Sequence, residues 1–448
     1  MIFEEALAYM GGLMRFGWKL DNSRIEALCK CLGDPHLSSP VIHIAGTKGK
    51  GSTTAFAARI LQEQGYRVGA YFSPYVFDVR ERVQLNGEPI SKEDFARILT
   101  RLKPIIENLA ETEIGQTTEF ELKTALAFVY FAEQKADYAC LEVGIGGRLD
   151  ATNVVNPVVT IITNIGLDHT EILGETYALI AAEKAGIIKP GAPCFTATDN
   201  PDALEVIERI AKERSAPLTR VRYGDTEGSS ESMTVFWKLN SEIVPPDFAP
   251  VTISTQRAVY RDMPVRMGGA YQRENAACAV AATEEALAIR GERLQEEAVR
   301  RALAETSLPG RLTIYHSASG MITVVDGAHN GLAAQKLATA VKSLMQMHAM
   351  ERLFLVIAMV GGHDPDDVIS KLAPMAQRCF ATQVEWKRAI SAEMIAETAR
   401  KYCEWTTVIS SPAEAVAAAR EQADPRTLIL ITGSLYLAGA LKPETLTD

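Results

Sequence analysis

Val41-Ile-His-Ile-Ala-Gly-Thr-Lys-Gly-Lys-Gly-Ser-Thr-Thr54 is an apolar run that enters a glycine-rich turn carrying lysine and then opens a helix. Strand, tight turn and helix in that order make a phosphate cradle. Gly46, Gly49 and Gly51 let backbone N–H groups converge on phosphate oxygens, and the helix start adds its unsatisfied amides and positive dipole end. Lys50 supplies a point charge for the β- and γ-phosphates. The strict pattern of such loops is not fully met: Ile44 stands where the first glycine would fall, and Gly51 rather than a hydroxyl residue follows the lysine. A turn that binds nothing has a similar local signature. The strand-loop-helix context favours nucleotide phosphates.

Around this loop, apolar strand-like runs alternate with helical patterns, which predicts a mostly parallel sheet covered on both faces. Strands are expected at 41–45, 67–72, 138–142 and 158–163, with helices at 53–64, 92–109, 119–135 and 175–187. From about 218 to 265 the pattern changes to short β-rich pieces, followed by an alanine-rich helix from Asn275 to Ile289. Leu308-Pro309-Gly310-Arg311 reads as a linker, because Pro-Gly interrupts helix and strand alike. Beyond it a second α/β unit is expected, with strands at 321–326, 353–359, 378–384 and 427–432. The division is therefore a phosphate-loop domain over 1–306 and a smaller Rossmann-like α/β domain over 307–448.

A chain of 448 residues exceeds one ordinary core, consistent with two domains. Its net charge of −10 carries no basic tract, which argues against nucleic acid and anionic membranes as partners. The seven cysteines form no regular framework and read as reduced thiols. No apolar stretch reaches membrane-spanning length, and no basic segment leads into an apolar run at Met1. A cytoplasmic, monomeric protein acting on small molecules is expected.

Several strand ends carry chemistry. Glu142 closes an apolar strand and precedes Val143-Gly-Ile-Gly-Gly-Arg148, so a carboxylate stands beside a flexible loop where open α/β sheets bind ligands. Asp168-His169 follows the next strand. One Glu, one His and a hydroxyl could hold Mg²⁺, which leaves room for phosphates and water; the same Asp-His pair also fits a cap. Lys184 sits in an apolar helix, either snorkelling to solvent or held near a metal as a reactive neutral amine. Asp326 and His329 end a strand of the smaller unit. Ser434 follows another, in an anion-binding geometry or as a plain N-cap.

Together these pieces resemble the folylpolyglutamate synthase and dihydrofolate synthase family, a branch of the Mur-ligase superfamily. The likeness is carried by Ala45-Gly-Thr-Lys-Gly-Lys-Gly-Ser52, Ser73-Pro74, Glu81-Arg82, Leu141 to Asn153, Thr163-Asn-Ile-Gly-Leu-Asp-His-Thr-Glu171, Glu183-Lys-Ala-Gly-Ile-Ile-Lys-Pro190, Pro309-Gly-Arg311, Asp326-Gly-Ala-His-Asn330 and Gly433-Ser-Leu-Tyr436. It implies an ATP-dependent ligase that joins a folate-type carboxylate to the amine of glutamate through an acyl phosphate. It further implies that Gly49, Lys50, Gly51 and Ser52 hold the ATP phosphates, and that Ser73, Glu142 and His169, with Ser52, ligate Mg²⁺. Lys184 matches the family lysine that becomes carbamylated. Asn275, Arg311 and Asp326 match ATP-contacting positions, His329 and Ser434 match the glutamate side, and Phe120 and Asp150 fall near the pterin. In these terms Lys50, Lys184, His169, Asp326 and His329 are the catalytic candidates.

The chain departs from the family pattern at Lys48 (usually Asn), Tyr75 (commonly His), Leu308 (often Trp) and the run His363-Asp-Pro-Asp-Asp367. A Mur-like ligase for another carboxylate, or an ATP-binding regulator without turnover, would share the cradle. The joint presence of Glu142, His169 and Lys184 weighs against the regulator.

Overall fold

The computed structural model describes residues 1–13, 21–224, 233–240, 247–362, 364–441 and 446. His363, one of the departures named above, lies outside them.

The stretch Val41–Ala45 becomes a strand buried at all five positions, as an apolar run covered on both faces must be. It lies at the heart of an eleven-stranded sheet among the described residues. Its neighbours are Tyr138–Glu142 and Pro157–Ile162, both parallel to it, with Ile44 opposite Glu142 and Ala45 opposite Ile162. Parallel pairing continues outward to Val68–Tyr71 on one side and to Cys194–Thr196, Leu218–Tyr223 and Thr234–Leu239 on the other. Antiparallel strands finish both edges: Val83–Leu85 with Glu88–Pro89, and Val251–Ser254 with Val259–Met263. The β-rich segment expected from 218 to 265 is thus an extension of the main sheet.

Side chains alternate across the strands. Ile42 and Ile44 pack on one face against helices Lys50–Glu63 and Ala270–Ala288. Alanine dominates the second helix, so it lies close against its neighbours and is buried on nearly every side. Val41, Ala139 and Leu141 face the other way, toward helices Lys92–Ala110 and Glu119–Glu133.

Among the described residues a six-stranded sheet forms the second unit, in the order Thr313–His316, Ile322–Val325, Thr427–Thr432, Arg352–Ile357, Arg378–Ala381, Thr406–Val408. Only the first pair is antiparallel. Separate apolar clusters fill its two faces. The architecture is the expected one of a large mostly parallel sheet and a smaller α/β unit. No helix among the described residues is long and apolar enough to cross a membrane. All seven cysteines are free thiols.

Boundaries differ where polar groups take over from apolar periodicity. The helix expected at 53 begins at Lys50, because Gly49 adopts φ +87° and caps it without a side chain. The helix expected over 175–187 is Tyr177–Ala185, and a separate short helix, Thr170–Leu173, precedes it. The alanine-rich helix starts five residues before Asn275, at Ala270. The strands Thr313–His316 and Thr406–Val408 are short edge strands without fully buried runs, and their periodicity is correspondingly weak.

Helix Glu119–Glu133 opens with a capping box: Thr118 accepts from the Glu121 N–H, and the Glu121 carboxylate accepts from the Thr118 N–H at 2.7 Å. The same carboxylate pairs with buried Arg24 at 2.9 Å, tying helix Ser23–Cys31 to this one. Glu121→Ala removes both the cap and the partner of a buried guanidinium, which Asp21 compensates only in part. The expected loss is about 3 kcal/mol of unfolding free energy, read from urea denaturation; a loss near zero would show that the ion pair does not tie the two helices together.

Candidate active site

The turn after Val41–Ala45 is shaped by what it must avoid. A Cβ at Gly49 would lie 2.3 Å from Asn275 Oδ1, and its φ of +87° disfavours any side chain, so glycine alone fits. This contact brings Asn275 of the alanine-rich helix to the loop, where its Nδ2 donates to Gln272 Oε1 at 2.9 Å. The first intrahelical bond runs from the Thr53 N–H to the Gly49 carbonyl, leaving the amides of Lys50, Gly51 and Ser52 ahead of it. Those three N–H groups and the helix dipole are what an anion cradle requires. Lys50 Nζ spans the loop, donating to the Gly46 carbonyl at 3.0 Å and to that of Thr47 at 3.4 Å.

The register with the adjacent strand sets Glu142 beside this cradle. A Cβ at Gly51 would come within 3.3 Å of Glu142 Oε2, so the carboxylate lies over the position where a hydroxyl residue would stand. The Ser73 N–H donates to the same oxygen at 2.8 Å. Burial raises the pKa of Glu142, opposed first by Lys50, then by Ser73, Arg311 and Arg82. Arg311 belongs to the turn that precedes the small sheet, so both units contribute charge to one place.

Asp168 receives Lys48 Nζ at 2.9 Å. His169 next to it has left-handed backbone (φ +52°) and starts the short helix Thr170–Leu173. Partial enclosure lowers its pKa, with Asp168 opposing. Lys184 does not snorkel: it is 4% exposed and its ammonium makes no hydrogen bond among the described residues. Its pKa falls to about 7 through burial and then the charge of Lys50, against the pull of Asp168. The glycine-rich loop after Glu142 is packed onto this helix: a Cβ at Gly147 would meet the carbonyl oxygens of Glu183 and Lys184 at 2.8 and 2.9 Å. The Arg148 N–H also donates to the Glu183 carbonyl at 2.8 Å.

Phe120 and Asp150 meet across Gly144, whose added Cβ would lie 2.6 Å from the Phe120 ring and 3.0 Å from Asp150 Oδ2. In the small unit, Asp326 is buried with both oxygens engaged, accepting from the N–H groups of Leu312 (2.8 Å) and Ala328 (2.9 Å). It therefore fixes the turn that carries Arg311, and Arg311 in turn opposes the rise in its pKa caused by burial. His329 Nδ1 is 2.8 Å from the Gly327 carbonyl, which places the proton of that nitrogen on this bond. Ser434 is the N-cap of the helix Leu435–Gly439, accepting from the Leu437 N–H at 3.1 Å. Of its two sequence readings, the cap is the one seen.

Three groups that went unassigned from sequence also shape the site. Thr163 and Asn164 pin the loop from outside: Thr163 Oγ1 donates to the Lys48 carbonyl at 2.7 Å, and Asn164 Oδ1 accepts the Lys48 N–H at 3.0 Å. Polar residues directly after the buried strand Pro157–Ile162 were the available signal. Arg82 lies 5.7 Å from the Tyr75 ring and 5.9 Å from Phe120, on a loop held by Glu81, which accepts the N–H groups of Val76, Phe77 and Asp78.

Among the described residues no three His, Cys, Asp or Glu gather into a metal-binding group. A hard cation here would rest on the Glu142 carboxylate with serine hydroxyls, phosphate oxygens and water, a donor set that suits Mg²⁺.

The Mur ligase middle-domain model matches residues 44–283, and the Mur ligase glutamate ligase domain matches 310–435. A dihydrofolate synthase/folylpolyglutamate synthase of Bacillus subtilis is 35% identical over 444 residues, covering 98% of each chain. The chain belongs to this family of Mur ligases. The ligase also matches the crystal structure of folylpolyglutamate synthase from Thermotoga maritima, with TM-score 0.84, 34% identity, and 98% and 95% of the two chains covered. The Mycobacterium tuberculosis folylpolyglutamate synthase complexed with ADP and AMPPCP matches with TM-score 0.84 and 29% identity over 100% of this chain and 99% of that one. The activity class of the family is ATP-dependent ligation.

Lys184 carries a pH signature. Its folded pKa of about 7 lies below the ordinary 10.5, so between those values the unfolded chain holds more protons. Stability therefore rises with pH through this window and is lost as pH falls through it. Relative to wild type, Lys184→Met should gain unfolding free energy as pH drops from 10.5 toward 7 and level off below, in metal- and bicarbonate-free urea titrations. A difference independent of pH would show that Lys184 keeps an ordinary pKa.

Proposed function

We propose that the ligase joins L-glutamate to dihydropteroate, to reduced folylpolyglutamates, or to both, through an acyl phosphate. The observation that carries this reading is Arg311, which acts electrostatically on Glu142 and Lys50 although it lies on the turn entering the small sheet. Two units meeting at one phosphate site is what a two-substrate ligation needs, with residues 1–306 taking ATP and the pterin and 307–448 taking glutamate.

In the first step an oxygen of the substrate carboxylate bonds to the γ-phosphorus, and the bond from that phosphorus to the bridging oxygen breaks, releasing ADP. In the second the glutamate nitrogen bonds to the acyl carbon, the carbon–oxygen bond breaks, phosphate leaves and the amine gives up its proton. The cradle amides and Lys50 hold the phosphates and offset charge as it shifts in the first step. Asn275, Arg311 and the Asp326 turn that carries it complete the nucleotide side. Phe120 and Asp150 hold the pterin; His329 and Ser434 border the glutamate side. Ser52, Ser73, Glu142 and His169 would hold Mg²⁺, which when bound neutralises phosphate oxygens.

Lys184 fits a carbamylated lysine. A neutral amine adds CO₂, forming a nitrogen–carbon bond and releasing a proton, and a pKa of about 7 makes that amine available at neutral pH. The resulting anion would also remove one of the like charges packed around Lys50.

The test is phosphate release with Mg-ATP and glutamate, comparing dihydropteroate, tetrahydrofolate and no pterin, with products identified by mass. An amide from either pterin is expected; release that ignores pterin would turn the reading toward a non-folate carboxylate. Lys50→Ala should lower kcat by about 10²–10³-fold, by analogy with the removal of one preorganised donor, and near-normal turnover would refute its role. His169→Ala should raise the Mg²⁺ concentration for half-maximal activity by about tenfold or more. An unchanged titration would remove it from the metal set.

A further inference from the structure

We propose that His43 and Thr152 are positioning residues for Asp150, joined to it in a one-way hydrogen-bond chain that runs from the sheet interior to the pterin pocket. The proposal rests on the folate reading above and deepens it.

His43 is the third residue of the central strand and is 0% exposed. By strand alternation it shares a face with Val41, away from Ile42 and Ile44. An imidazole inside an otherwise apolar strand is costly unless its polar atoms are used. His43 Nε2 lies 2.9 Å from Thr152 Oγ1, and Thr152 Oγ1 lies 2.6 Å from Asp150 Oδ1. Chemistry sets the direction. A carboxylate only accepts, so the single hydroxyl proton of Thr152 points to Asp150, and the threonine oxygen is left to accept from His43. The neutral His43 ring must then carry its proton on Nε2. In agreement, Nδ1 is enclosed without a partner among the described residues. Burial and nearby Lys189 lower the His43 pKa to about 3, so the ring stays neutral.

The far end of the chain matters for substrate. Asp150 Oδ1 also accepts the Thr152 N–H at 3.0 Å, while Oδ2 accepts the Ile145 N–H at 3.0 Å. With Oδ1 occupied by two donors, the carboxylate cannot rotate without breaking both. Oδ2 is the oxygen set beside Phe120 across Gly144. A planar heterocycle stacked on the Phe120 ring would present its N–H donors to a carboxylate fixed in orientation and unable to donate. Without the hydroxyl, Asp150 keeps its backbone donors but loses the side-chain donor to Oδ1, which loosens that orientation and removes a bond that opposes the burial-driven rise of its pKa.

The experiment compares Thr152→Val, which removes the hydroxyl at constant shape, with Thr152→Ser, which keeps it, and His43→Leu with His43→Gln, whose amide nitrogen can replace Nε2. Equilibrium dissociation constants for dihydropteroate, tetrahydrofolate and ATP are measured for each folded variant. The expected result is about tenfold weaker pterin binding for Thr152→Val, corresponding to about 1.4 kcal/mol, with ATP affinity unchanged. Serine should restore it. His43→Leu should shift the same constant in the same direction, and glutamine should recover it. Wild-type pterin affinity in folded Thr152→Val, an equal loss for ATP, or no rescue by serine would each overturn the proposal. The ¹⁵N shifts of the histidines in the unaltered chain give an independent readout needing no variant: a His43 Nε2–H tautomer supports the chain, and Nδ1–H overturns it. Wild-type protein that binds neither pterin would overturn the folate reading itself, whereas normal wild-type binding with indifferent variants would overturn the positioning role alone.

Discussion

Crowded positive charge is the constraint around which this molecule is arranged. Lys48, Lys50, Lys184 and Arg311 act on one another or on shared neighbours, while Glu142, Asp168 and, at Lys184, Asp150 are acids that answer them. Like charges at such a site repel, and the repulsion is borne by backbone that cannot yield: three parallel strands in fixed register, a helix capped by a left-handed glycine, and a glycine loop pressed on the end of the Lys184 helix. A bound polyanion would relieve that repulsion. That is why ligand binding and the chemistry of this site are the same electrostatic problem.

The central strand and the turn after it could be read because their signals are local. Spacing of glycine, lysine and apolar residues within fourteen positions specifies strand, turn and helix, and only the helix start was misplaced, by the capping role of Gly49. Glu142 was legible for a related reason: it ends an apolar strand, and the pairing of parallel strands brings such ends together. Lys184 could be read two ways, because sequence does not say whether a lysine on an apolar helix reaches solvent; the packing of the Gly144–Arg148 loop decides it. Asp326 and Ser434 were recognised as positions, but the use of their oxygens on neighbouring backbone depends on turns that no local pattern specifies.

His43 was the least visible of all. It sits in the very stretch that decides the fold, yet among Val41, Ile42 and Ile44 it reads as a strand residue that happens to be polar. Its partner is more than a hundred positions away, past four other strands, and only the crossover order of the sheet brings Thr152 under it. A short edge strand such as Thr406–Val408 is hidden for the opposite reason: none of its residues is fully buried, so it carries little alternation to detect.

Asp326 also determines how the two units can work on each other. Because it clamps the Leu312 amide with one oxygen and the Ala328 amide with the other, and its own N–H donates to the Ile431 carbonyl of the small sheet at 3.0 Å, the turn bearing Arg311 is bolted to that sheet rather than hanging between the units. Any swing of the smaller unit carries the guanidinium with it. The charge at the phosphate loop is thereby a gauge of closure, and a nucleotide left in an open molecule would face an incomplete set of counter-charges.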